Sequence, residues 1–442
     1  MLKIFIKFFS YLLILLVIFI LYLSFFGIET KSFNKLIQEE ISKSNDKVKA
    51  KFNKVKILLN LSNFSTNIEV PNLVLLYEGK QIKVQNISTN FSIAKLIKKE
   101  FGINNASIET KDNNLSDVIN FVRIYKNTPQ LIILEKILKK GKISSKIELN
   151  FNKNGKLKKD YKFKGLIREA EIKLLNKDII SSIDLNFDFQ NKLYLIEDAK
   201  IIYKDIKFSS KKINILDKDK YFLIEGDIGN KSSEFNKEKL SVFFRQNLKN
   251  LNFKDAKLSS DNNFSFKINK KFKISDFIFK SKIKLDKLNY NLDSEKFKDY
   301  LPSYNGSIDF DNHEIKLLFK KNHFSIKGGG IYVIGKESEK INYDIKNDGG
   351  NVKFQSKLNI NKNPLNIKIL NYKKKENEAS TLFIEGEKKK DKTLFFKKIL
   401  FNESKNNFLV ENLSLSKDLK INFFKLVDLN FINENKKKIK FL

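Results

Sequence analysis

Two histidines, His313 and His323, are the side chains of this chain best suited to hold a metal or move a proton near neutral pH. Asp309, Asp311 and Glu314 are close by in sequence, yet no third ligand cluster accompanies the pair. A zinc helix would need H-E-x-x-H, and a thiolate site would need cysteine, which the chain lacks. The pair therefore reads as ordinary surface histidines. Gly328-Gly329-Gly330 raises a second possibility, a phosphate cradle. Such a loop is followed by Gly-Lys-Ser/Thr and opens a helix, whereas Ile331–Ile334 reads as a strand, so the triplet predicts a hairpin turn. There is no G-x-S-x-G elbow for an acyl-transfer nucleophile. The sequence predicts no catalytic residue, no metal and no cofactor.

With so little reactive chemistry, function must lie in the elements themselves. Phe8 to Ile28 is uncharged and almost wholly apolar. As a helix it is long enough to cross the roughly 30 Å hydrocarbon core of a bilayer. Phe8, Leu12, Leu15, Leu16, Ile18, Ile20, Leu23 and Phe26 are the expected lipid-facing anchor residues. Lys3 and Lys7 on its amino side predict that the short N-terminus stays in the cytoplasm and the rest lies beyond the membrane. A cleaved signal peptide would end in a small-x-small site, and Ser24-Phe25-Phe26-Gly27 places Phe25 where a small residue is needed.

The net charge of +34 bears on partners. It suits contact with anionic lipid head groups or nucleic acid. Lys, Asn, Ile and Phe dominate, all with A/T-rich codons, and the lysines are spread evenly along the chain where a nucleic-acid patch would cluster them. No nucleic-acid partner is expected. Forty-one Phe within 41% apolar residues supply ample surface to bury, which excludes global disorder.

Beyond the anchor, residues 30–130 read as a mixed α+β module. Phe33, Leu36, Ile37 and Ile41 mark a short amphipathic helix, and strands follow at Val48–Leu61, Asn67–Tyr77 and Gln81–Phe91, with a turn at Glu78-Gly79. Ser92–Lys99 predicts a short helix and Gly102–Thr110 a strand. Ser116 is placed to cap a helix carrying Val118, Phe121, Val122 and Tyr125, which Thr128-Pro129 closes. From Leu131 the period is two. Ile183, Leu185, Phe187 and Phe189 alternate with Asp184, Asn186, Asp188 and Gln190; Phe264, Phe266 and Ile268 and then Phe277, Phe279, Ile283 and Leu285 repeat the pattern. Turn signals such as Asn154-Gly155 separate the runs. The fold class is mainly β with a few short helices: an N-terminal transmembrane helix (1–29), then a long antiparallel meander through 131–300 that continues, or forms a second β module, through 301–442. About 15 strands at 4.8 Å spacing would span roughly 70 Å, a width at which sheets curl or split. Few helical segments follow residue 140 to cover the apolar face. An open groove or a closed sandwich therefore remains.

The N-terminal order resembles the AsmA-like family of envelope proteins. The residues that carry the likeness are Gly27-Ile28-Glu29-Thr30-Lys31-Ser32-Phe33-Asn34 at the end of the anchor, the helix Lys35–Ser42, the strand Lys54–Leu59 and Val70-Pro71-Asn72-Leu73. Ile87–Ile97, Lys139-Lys140-Gly141-Lys142-Ile143 and Tyr161–Gly165 extend it. The resemblance implies an inner-membrane anchor and a periplasmic β-groove that shields phospholipid chains and serves outer-membrane lipid supply. The expected partners are membrane phospholipids, the inner membrane and other envelope proteins. The groove would be lined by Ile183, Leu185, Phe187, Phe189, Phe264, Phe266, Ile268, Phe277, Phe279, Ile283 and Leu285. The alternative is an anchored scaffold or assembly factor that binds no lipid.

Alkaline phosphatase fused at the C-terminus should be active and should fractionate with the inner membrane, because Lys3 and Lys7 hold the short end inside. An inactive fusion, with a cytoplasmic reporter active in its place, would contradict this topology.

Overall fold

The computed structural model describes residues 2–61, 65–92, 103–152, 154, 156–174, 177–239, 252–291, 296–321 and 323–441. Most of the short helix expected at Ser92–Lys99 and Gly155 of the expected Asn154-Gly155 turn lie outside these. Helix α1, Leu2–Phe25, contains a stretch from Phe5 to Phe25 of mean hydropathy 2.6 with none of it buried. It is long and apolar enough to cross a membrane. Its end is set by Gly27, whose φ of +69° lets Phe26 and Gly27 donate back to the Tyr22 carbonyl at 2.8 and 3.3 Å. A side chain on Gly27 would also strike the Ile57 carbonyl, because Ile28–Thr30 at once joins a sheet beside Val55–Ile57. The apolar helix thus ends at Phe25, before the apolar run ends at Ile28.

The chain divides into two compact units, Met1–Asp205 with Lys211–Lys218, and Ile206–Ser210 with Asp219–Leu442. The first holds α2 (Asn34–Ser44), whose Ile37 and Ile41 pack on a core of Ala50, Val55, Val70, Leu73 and Val84. Its strands then follow one another antiparallel: Ile103–Thr110 beside Leu138–Asn150, then Lys162–Lys173, Ile179–Gln190 and Leu193–Tyr203. Glu78 and Gly79, both at positive φ, make the tight turn their sequence predicts.

Two expectations change here. Helix α3, Leu115–Tyr125, is capped by Asn114, whose side chain accepts from the Ser116 amide at 3.2 Å; Ser116 itself lies two residues past the cap. Its buried residues are Leu115 and Ile119, so the face is rotated and Val122 and Tyr125 point to solvent. Thr128-Pro129 does not merely end that helix. Thr128 caps α4, Pro129–Ile137, with proline in its first turn, where the missing amide hydrogen costs nothing. The meander therefore begins at Leu138.

In the second unit the strands Tyr221–Asn236, Phe253–Asn269, Ile274–Asn291, Ser307–Lys320, His323–Ile334, Glu337–Asp348 and Asn351–Asn359 each pair antiparallel with the next. Ser380–Lys388, Leu394–Glu403, Asn406–Leu415, Leu426–Ile432 and Lys438–Phe441 continue the order. The protein is mainly β, and its long antiparallel sheet is not closed into a barrel.

Gly328–Gly330, expected at a turn, instead lies inside the strand His323–Ile334. The reason is cross-strand crowding. A Cβ on Gly328 would sit 2.8 Å from the Tyr343 hydroxyl, and one on Gly330 would sit 2.3 Å from the His313 ring. Glycine here makes room for two rings on the neighbouring strands. Gly330→Ala should therefore destabilise the second unit by about 1–3 kcal/mol through overpacking. An unchanged denaturant midpoint would show that His313 can yield.

Candidate functional site

Strand pairing sorts the second unit's side chains onto two chemically opposite faces. One cross-strand row reads Phe264, Phe279, Phe319, Phe324. A second reads Ile283, Ile315, Gly328, Tyr343, Ser356, Ile384, Ile399, Val410, Val427 and so crosses nine strands on the same face. Between them on the other face runs Asp261, Lys282, Lys316, Lys327, Asp344. Period-two alternation produces this separation directly.

Of the residues expected to line a groove, Phe264, Phe266, Phe277 and Phe279 come together. Ring centroids are 5.9 Å apart for Phe264–Phe266, 6.1 Å for Phe266–Phe277 and 6.3 Å for Phe277–Phe279, and Phe319 joins at 6.0 Å from Phe277. Phe277 is 37% exposed and Phe319 40%, while Phe264, Phe266, Phe279, Ile268 and Ile283 are half-buried. In a sandwich a second layer would bring such inward residues close to zero exposure. Here side-by-side neighbours shield one another, and among the described residues no layer lies on top.

Among the described residues, a helix and a small hairpin cover one set of strand ends. Helix α5, Lys296–Tyr300, leads into Leu301 and Tyr304, which pack with Tyr332 and Ile334. Beside them the small hairpin Leu365–Ile367 and Tyr372–Lys374 seats Tyr372 among Phe401, Phe408 and Phe431, at centroid distances of 6.2, 4.7 and 5.6 Å. The Tyr372 hydroxyl donates to the buried Glu403 carboxylate, which Asn406 also engages at 2.6 Å. Lys374, fully buried, donates to the carbonyls of Asn361, Asn363 and Lys375 at 2.8, 3.0 and 2.8 Å, and burial pushes its ammonium below the usual lysine range. The opposite strand ends, where Phe277 and Phe319 lie, carry no such cover among the described residues.

His313 belongs to the covered end. It is 1% exposed, correcting the expectation of a surface histidine. Register at Asp311–Glu314 slips around it, with Asn312 at φ +53°. Its Nδ1 lies 3.2 Å from the Tyr343 hydroxyl and its Nε2 2.9 Å from the Ile331 carbonyl. Burial raises the Tyr332 and Tyr343 phenols, so both stay protonated. His323 pairs with Lys320 at the far end of the same strand, so the two imidazoles do not meet. Among the described residues no three His, Asp or Glu side chains gather as a metal set. Leu285, beside His313 in the ladder, is correspondingly buried.

Ile183, Leu185, Phe187 and Phe189 line a face of the first unit. Phe187 is only 4% exposed, because it packs into a cluster with Leu115 and Ile119 of α3 and with Leu138, Ile143 and Ala170. Phe163, Phe187 and Phe189 form a ring cluster with centroids 4.9, 5.0 and 5.8 Å apart. The sequence placed α3 correctly but gave no sign that it covers this face; its contact partners are distant in sequence. Along α1, Phe8, Leu12, Leu15, Leu16 and Ile18 are exposed, Ile20 and Leu23 half-buried, and Phe26 lies just past the helix, stacked on Tyr22 at 5.4 Å. Lys3 and Lys7 sit in its first turns.

No family model, curated protein or solved structure matches the chain.

The two phenylalanine sets should respond oppositely to charge. Phe187→Asp buries an unpaired carboxylate and should cost about 3–5 kcal/mol. Phe277→Asp leaves its carboxylate in reach of water and should cost about 1 kcal/mol or less. Equal losses in thermal unfolding would mean that the Phe277 face is covered too.

Proposed function

We propose that the protein is an inner-membrane-anchored, periplasmic lipid-handling protein. In this reading α1 spans the membrane, and the open apolar face of the second unit shields phospholipid acyl chains, supporting lipid movement to, or assembly of, the outer membrane. The observation that carries it is the exposed apolar face itself: Phe277 and Phe319 are 37% and 40% exposed, and Phe319 belongs to the cross-strand row Phe264, Phe279, Phe319, Phe324. Acyl chains would lie against Phe, Ile and Val side chains with head groups in water beyond the open strand ends. Each buried CH₂ is worth about 0.8 kcal/mol, so a chain is held yet can slide between near-equivalent apolar positions. No residue acts as a catalyst. The AsmA-like resemblance of the N-terminal residues points the same way, as does the cytoplasmic placement that Lys3 and Lys7 favour for the short end.

Full-length protein carried through delipidating washes should retain phospholipid detectable by native mass spectrometry. A Phe266→Asp/Phe279→Asp variant with an unchanged melting temperature should retain much less, because hydrocarbon does not solvate carboxylates. Equal lipid in both proteins would instead favour an anchored scaffold that uses the sheet to dock envelope proteins.

A further inference from the structure

A hairpin tip in the second unit is built in a way its own fold does not account for. The strand Asn406–Leu415 leaves the sheet through a turn in which the Ser416 amide donates to the Lys420 carbonyl at 2.8 Å and the Leu419 amide to the Ser416 carbonyl at 3.0 Å. The Ser416 hydroxyl accepts from the Asp418 and Lys420 amides at 3.3 and 3.2 Å. This places Leu419 at φ +60°, where a β-carbon is crowded. The same backbone pattern recurs at Asn269–Lys273, Lys389–Thr393 and Asn433–Lys437, with Phe272, Lys392 and Lys436 at the left-handed position. Lys392 and Lys436 carry their charge into water. Phe272 stands at the tip joining the strands that hold Phe266 and Phe277. Leu419 has neither justification and is 65% exposed.

Leu419 is not alone. Ile421 is 65% exposed, Phe423 51% and Phe424 52%, and the strand Ile421–Phe423 pairs only with Ser414 and Leu415. Isolated exposed apolar residues are ordinary on a protein surface; four within one hairpin are not. Lys417, Lys420 and Lys425 flank them against a single acid, Asp418. The neighbouring tip, brought alongside by the Leu394–Leu415 pairing, adds Lys389, Lys390 and Lys392 against one acid, Asp391. An apolar tip of leucine, isoleucine and phenylalanine within a collar of lysines matches the acyl boundary and phosphate layer of an anionic bilayer.

We propose that the tip Ser416–Lys425 inserts into the interface of an anionic phospholipid membrane, a contact separate from the α1 anchor. Leu419, Ile421, Phe423 and Phe424 enter the acyl boundary and the lysines meet the phosphates. The strain at Leu419 is then offset by burial of its side chain in lipid. This contact does not depend on whether the sheet face carries lipid, so lipid retention and tip insertion succeed or fail separately.

The chain has no cysteine, so Phe424→Cys supplies one thiol for an environment-sensitive dye. The full chain, kept soluble in an amphipol, is mixed with phosphatidylcholine–phosphatidylglycerol vesicles carrying a spin-labelled lipid. The dye at position 424 should shift to the blue and be quenched, less so at high salt, while the same dye on Lys436→Cys, in a like turn at the opposite strand ends, stays in water. Leu419→Gly should raise the melting temperature by relieving the turn, and Leu419→Gly/Phe423→Ser should weaken vesicle-dependent quenching at position 424 about tenfold or more. Absence of quenching at position 424, or equal quenching at 424 and 436, overturns the proposal. So does a dye already shielded before vesicles are added, which would assign the tip to a protein contact.

Discussion

A sheet that alternates apolar with charged residues must hide one face from water, and in the second unit the described residues lay cover over only part of it. The rest of that unit follows from this constraint. α5 and the hairpin around Tyr372 cover the strand ends nearest His313 and Tyr332, and buried side chains concentrate there. Elsewhere, among the described residues, apolar side chains shelter one another. The first unit meets the same constraint differently, by laying α3 across Phe187 and its neighbours. One face is thus a conventional core, and the other is an apolar surface that the described residues leave partly exposed.

The opposite face stays wet by design of the register. The row Asp261, Lys282, Lys316, Lys327, Asp344 places acids at both ends of a lysine block. Exposed pairs such as Lys397–Glu385 at 2.9 Å and Lys146–Glu109 at 3.0 Å contribute only tenths of a kcal/mol each. Their larger effect is on solubility. Burying the covered end demanded more specific chemistry. Lys374 sits among three carbonyls and the Tyr372 hydroxyl donates to Glu403, so each of these two buried charges is hydrogen-bonded.

Much of this was legible in the sequence because period two is a local signal. The runs Ile183–Phe189, Phe264–Ile268 and Phe277–Leu285 fall on single faces as their alternation requires. The apolar helix and the Glu78-Gly79 turn are equally local. What escaped depends on contacts distant in sequence. Gly328–Gly330 looks like a turn until His313 and Tyr343 are known to lie across from it. His313 looks exposed until the register slip at Asn312 turns it inward. Proline at position 129 reads equally well as the end of one helix or the start of the next, and only Thr128, which caps α4, decides it. Periodicity states that a face is apolar and is silent on whether anything covers it.

The central claim is that this face is open to lipid, and adjacent positions on one strand test it directly. A benzophenone amino acid placed at Phe279, on the apolar face, should photo-crosslink to phospholipid in intact membranes; the same group at Lys280, facing water, should not. Lipid adducts at position 279 alone are the predicted result. Crosslinks from position 279 only to other strands of the protein, with no lipid adduct, would describe a closed core and contradict the account.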